Sequence, residues 1–146
     1  MTMKPAFAVI LAAALCSTAA LAAEPQEIRQ QQMKETGAAF GALNAIARGQ
    51  RPFDEATVKA SLDKLAEISK DFRNHFPRGS ETGFESEAGI RIWQDEAGFA
   101  AANDKFAADV EAVLAHAPAD QDGVRAAVGT IGANCGACHE SFRVRR

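Results

Sequence analysis

Tyrosine is absent from this 146-residue chain, tryptophan occurs once, and cysteine and histidine three times each. Runs of alternating Val, Ile and Thr are missing too, so no segment reads as a half-buried strand, and the Ala-rich composition favours helices. An excess of basic residues is also lacking: 16 Lys and Arg stand against 19 Asp and Glu, a formal charge of −3. That balance gives no electrostatic claim on nucleic acid or an anionic membrane, and a charge-guided partner would present a basic patch.

The one long apolar stretch lies at the start. Lys4 precedes "AFAVILAAALCSTAALA", and Ala20-Leu21-Ala22 supplies an A-x-A pattern, so residues 1–22 read as an export signal removed before Ala23. The stretch is Ala-rich and short for a membrane anchor. Leu15 precedes Cys16 where lipid attachment wants a small residue, so Cys16 is expected to leave with the signal. The expected product, residues 23–146, is one exported, periplasmic domain with no membrane insertion. It has no internal repeat or low-complexity tract, and its acidic excess grows by one once Lys4 is gone.

Four segments of that product carry apolar residues at helical spacing. The first runs from about Glu27 to Ala47, with Met33, Phe40, Leu43 and Ile46, and stops at Gly49 ahead of Pro52. The second starts at the N-cap Asp54 and carries Val58, Leu62, Leu65, Ile68 and Phe72. A third starts near Asp95 with Phe99, Phe106, Val110, Val113 and Leu114. The fourth starts near Asp120 and sets Val124, Val128, Ile131, Cys135, Cys138 and Phe142 on one face. The connections "GQRPF" and "APA" are short, which makes their helices antiparallel neighbours; the third, from about Phe76 to Gln94, is read as a long loop. The predicted fold is all-α, an antiparallel up-down-up-down four-helix bundle.

The chemistry concentrates in "CGACHESFR", near the chain end. On a helix Cys135 and Cys138 point the same way and His139 stands one turn beyond Cys135, so all three can meet one flat ligand. Zinc, a reversible disulfide and covalent haem compete for them. Structural zinc wants four ligands, and the remaining histidines, His75 and His116, lie apart near other helix ends, with no second C-x-x-C. A disulfide across two residues would close a tiny loop, and thiol-redox pairs sit at helix N-termini rather than late in a helix. C-x-x-C-H in an exported protein is the attachment sequence for haem c, with both thiols bonded to the cofactor and the His on iron. These residues therefore favour haem, which would need a cavity beside His139.

The whole expected product resembles cytochrome c prime and its class II relatives. "RQQQMKETGAAFGAL" is similar to the family's first helix and "GQRPFD" to its first turn. "FPRGSETG" with "IWQDEAGF" resembles its long loop and third-helix start, and "IGANCGACHESFR" its haem-binding end. One departure is Ile90, where many relatives have Pro three residues before the Trp; this puts the loop conformation in question. The resemblance implies one covalent haem c on Cys135 and Cys138, with iron held by His139 and, from the first helix, Met33 in the distal position. It further implies Arg29 near a haem carboxylate, Gln30 and the Ser86–Glu87 stretch at the haem edge, and Arg143 as the cation beside the His. Trp93 is expected to pack under the loop.

Two readings of Met33 stay open: ligand or core filler. Ligation implies a one-electron carrier serving unidentified redox protein partners, not an enzyme, with no catalytic residue. Five-coordinate iron implies instead a module binding nitric oxide or carbon monoxide. The resemblance also allows a homodimer through helices one and two.

Overall fold

The computed structural model describes residues 23–144. The expected export signal and Cys16 lie outside the described residues, as do Arg145 and Arg146. The helices are α1 Pro25–Ala47, α2 Glu55–Asp71, α3 Arg91–Gln94, α4 Glu96–Ala115 and α5 Gln121–Phe142, with a 3-10 turn at Phe72–His75.

Local chemistry starts three of the long helices in the same way. Asp54 accepts from the Thr57 N–H at 2.8 Å, Asp95 from Gly98 at 3.0 Å and Asp120 from Gly123 at 2.8 Å. Helix α1 begins two residues before its expected start because Pro25 occupies its first position and the Glu27 carboxylate accepts from the Glu24 N–H at 3.3 Å. It stops at Gly49, whose φ of +70° only glycine adopts freely, with the Gln50 N–H returning to the Ala45 carbonyl at 2.9 Å.

The long helices close into a ring in which α1 packs on α2, α2 on α4, α4 on α5 and α5 back on α1. The described residues are helical, without strands among them, and form the four-helix bundle expected. Its interior holds two apolar clusters. One gathers Leu43, Ile46, Val58, Leu62, Leu65, Val110, Val124 and Ile131, with Cys135 at its edge; the other holds Ile92, Trp93, Phe99 and Phe142, with Cys138 at its edge. The two thiols thus mark the seam between the clusters.

The long connection departs from the expected loop, since it contains the 3-10 turn and α3. Trp93 explains α3: its indole N–H donates to the Phe76 carbonyl at 3.0 Å, which buries the ring and pulls residues 90–94 onto the bundle. At its far end the connection pairs with the end of α5. The Gly89 N–H donates to the Phe142 carbonyl at 2.7 Å and the Val144 N–H to that of Glu87 at 2.8 Å.

Candidate functional site

Between the two clusters lies a cavity of about 750 Å³, within the range of cofactor sites. Helix α5 brings Cys135, Cys138 and His139 to it; α1 brings Met33, Gln30 and Arg29; the long connection brings Ser86 and Glu87; and Arg143 follows from the end of α5. Sequence positions more than a hundred residues apart meet there because α1 and α5 are neighbours in the ring.

Six phenylalanines contribute to an otherwise mixed wall. Phe76 packs edge-on against Phe72 at 5.1 Å and Phe99 at 4.7 Å, and Phe99 against Phe142 at 5.4 Å. Such a wall takes a flat apolar ligand and keeps water from its face.

Both thiols are free and half-buried, and burial pushes both pKa values up, Cys138 further raised by the neighbouring Cys135. A disulfide-exchange site needs the opposite shift. Among the described residues no cluster of His, Cys, Asp and Glu suits a metal ion held by protein alone. The His139 pKa is lowered, first by burial and then by the charge of Arg143, with Glu87 opposing. The neutral imidazole so favoured is the form that ligates iron.

On the α1 side Met33 is half-buried and lines the cavity. Gln30 donates through Nε2 to the Phe84 carbonyl. This contact holds a loop tip in which Phe84 and Glu85 both have positive φ, 52° and 54°, a conformation side chains resist. Arg29 is 4 % exposed, and its hydrogen bonds go to the connection. Nη1 donates to the His75 carbonyl at 2.8 Å and to Ser80 Oγ at 2.9 Å, Nη2 to the Ser80 carbonyl at 2.9 Å and to Ser86 Oγ at 3.2 Å. Its plane lies 4.6 Å from the Phe76 ring centre. With four donors so placed, only Nε–H remains for a haem carboxylate. Burial lowers the Arg29 pKa, Glu81 opposing, yet a guanidinium stays charged.

Glu87, expected at the haem edge, does line the cavity, but its carboxylate pairs with Arg143, which donates through Nε at 2.7 Å and also through Nη2. Arg143 stands one turn past His139, as expected, and its N–H donates to the His139 carbonyl at 3.2 Å. The sequence reading missed Ser80, which a lone loop serine cannot announce. It also missed Phe76 as a wall residue, although an aromatic at a helix exit was a usable signal.

Haem c fits this chain's residues. Two thiols share one face with an imidazole, a thioether lines the same cavity, and the wall is apolar on a scale that interior packing does not otherwise leave unfilled.

A family model described as Cytochrome C' matches residues 24–143. The chain is 42 % identical over 146 residues to cytochrome c-556 of Agrobacterium fabrum, covering 100 % of this chain and 99 % of that one. A solved cytochrome c' from Rhodopseudomonas palustris superposes with a TM-score of 0.80 at 31 % identity, covering 86 % of this chain and 99 % of the other. A structural model of oxidized R. palustris cytochrome c556 gives 0.75 at 32 %, with 84 % and 97 % covered.

Proposed function

The chain belongs to the cytochrome c' family, a c-type haem protein binding one covalent haem c with its iron, and from that premise we propose that it is a periplasmic one-electron carrier whose haem iron is ligated by His139 and Met33. Bound haem supplies a one-electron couple, and a thioether opposite imidazole raises its potential. The chain supplies the rest. Cys135 and Cys138 fix the cofactor to α5, and His139 is kept neutral for the metal. The Phe72, Phe76 and Phe99 wall excludes water. The observation that carries the proposal is that Met33 and His139, from different helices, line one cavity together with both thiols.

What the site presents is ligands, wall and fixed charges, which suits a carrier rather than an enzyme. The exported location rests on the A-x-A pattern at residues 20–22, and among the described residues no helix is long and apolar enough to cross a membrane. The partners we propose are redox proteins. Phe84, Ile90 and Val144 are exposed large hydrophobic residues, and Ile90 and Val144 line a second pocket that shares Glu85, Ser86 and Ala88 with the cavity, where a transient partner would approach. A homodimer through α1 and α2 is a second proposed association.

One observation favours the alternative, a five-coordinate protein binding nitric oxide or carbon monoxide. Gly37, one turn beyond Met33, leaves room at the cavity: a Cβ there would meet nothing within 4 Å. Visible spectra of wild type and Met33→Ala, exported from a host that attaches haem, separate the two. Ligation gives a low-spin wild type in both oxidation states and a high-spin variant of lower potential; identical spectra would remove Met33 from the iron. Absence of a covalent haem band in the wild type would overturn the haem assignment.

A further inference from the structure

The ion pair between Glu87 and Arg143 joins the long connection to the helix that carries the haem motif. We propose that Glu87 is a positioning residue that clamps the Arg143 guanidinium beside His139, and that the cation so held tunes the haem reduction potential. The proposal rests on the reading that His139 ligates the haem iron.

Two observations carry it. First, Arg143 Nε and Nη2 converge on one oxygen of Glu87, Nε at 2.7 Å, and both residues line the cavity that His139 lines. Second, the backbones carrying the two side chains are themselves joined. The Val144 N–H reaches the Glu87 carbonyl at 2.8 Å and the Gly89 N–H the Phe142 carbonyl at 2.7 Å, around an antiparallel bridge between Ala88 and Arg143. The close approach is possible because Gly89 has no side chain; a Cβ there would lie 2.9 Å from the Phe142 oxygen.

The exposures show why a clamp is needed. The Arg143 side chain is 49 % exposed and that of Glu87 35 %. An arginine so exposed gains by turning its head into water, where its charge is screened. Ordinary surface pairs hold such a side chain weakly because each pair must order two long chains. Here the bridge has already fixed both backbones, so pairing orders only the side-chain ends. Arg91, by contrast, pairs with Asp95 at 3.6 Å, its guanidinium 5.7 Å from the Phe142 ring centre.

The pairing also bears on the haem-edge role expected for Glu87. Haem carries carboxylates of its own, and a glutamate would repel them, whereas a glutamate neutralised by Arg143 can stand beside them. Glu87 therefore acts on the cofactor through Arg143.

The test is a double-mutant cycle read as midpoint potential of the holoprotein. Arg143→Gln in the wild-type background removes a cation that disfavours ferric iron, so the potential should fall. The same substitution in an Glu87→Ala background should shift it by half as much or less, because Arg143 has already left. Independent charges would give equal shifts in both backgrounds, and that result overturns the clamp; so does a wild-type background in which Arg143→Gln shifts nothing. If Glu87→Ala yields no holoprotein, Glu87→Gln, which keeps the shape and loses the charge, is read by the same criterion. Failure of the haem assignment would be recognised separately, as a wild-type protein without a covalent haem band.

Discussion

Arg29 and Ser80 are 51 residues apart in sequence, yet Arg29 bonds both the hydroxyl and the carbonyl of Ser80, each at 2.9 Å. This double contact lets one buried cation on α1 organise a connection that would otherwise lack internal ladders. The serine hydroxyl in turn donates to the Pro77 carbonyl at 2.7 Å. The same guanidinium lies 4.6 Å from the ring centre of Phe76, a residue of the cavity wall.

Replacing Ser80 with Ala should therefore destabilise the holoprotein by about 2 kcal/mol, the scale of a hydrogen bond to a charged group. Ser86→Ala, whose contact is longer at 3.2 Å and only partly buried, should lose less. Urea unfolding followed by circular dichroism measures both, and equal losses would show that the shorter bonds do not dominate.

Gly89→Ala should destabilise by about 1–3 kcal/mol, as overpacking against backbone does. The added methyl would meet the Phe142 carbonyl oxygen at 2.9 Å and its carbon at 3.1 Å, neither of which can rotate away. Faster amide exchange at Gly89 and Val144, with exchange in the middle of α2 unchanged, is the expected signature.

Ile90→Pro should leave the fold intact and raise the melting temperature, by a gain of about 0.4–1 kcal/mol. Ile90 already has a φ of −55°, within the range proline imposes, and it is 56 % exposed, so little packing is lost. A fall in melting temperature would show that residue 89 or the Ile90 N–H cannot accommodate the ring. The departure from the family pattern at this position thus leaves the backbone compatible with proline.

Asp71 should make stability fall on the acid side. Its carboxyl pKa is held below the ordinary value of 3.8, chiefly by the His75 hydrogen bond at 2.6 Å, with Asn74 and Gln32 contributing. A depressed folded-state pKa gives stability that is present above the unfolded value and lost as pH falls through the folded one. Asp71→Asn should flatten the melting-temperature profile below about pH 4, while its loss at neutral pH should be small because the group is exposed. A profile identical to wild type would remove Asp71 from the acid response.

The haem motif and the helices were legible because their signals are local. Cys135, Cys138 and His139 lie three and four residues apart, so helical geometry alone puts them together. Asp54, Asp95 and Asp120 each announce a helix start by a hydrogen bond spanning three residues. Met33 and Arg29 were placed on one helix by the same spacing, and the ring of helices carried them to the motif. Helix α3 escaped the sequence reading because four residues show no period; it exists because Trp93 anchors it to the Phe76 carbonyl.

The partners of Arg29 and Glu87 became visible only in the tertiary structure. Each is a charged side chain with several candidate partners, and sequence spacing ranks none of them. Arg29 reaches residues 46 to 57 positions away, and Glu87 meets Arg143 across 56. Such partners are chosen by where two clusters of apolar side chains bring the backbone and by how little space Gly89 leaves. The bundle and the cofactor class follow from sequence, as does the shared face of two thiols and an imidazole, because period, caps and motif act within one or two helical turns. The fold alone decided which charges face the cavity and which are spent on the wall, because that choice depends on burial and distance between segments remote in the chain.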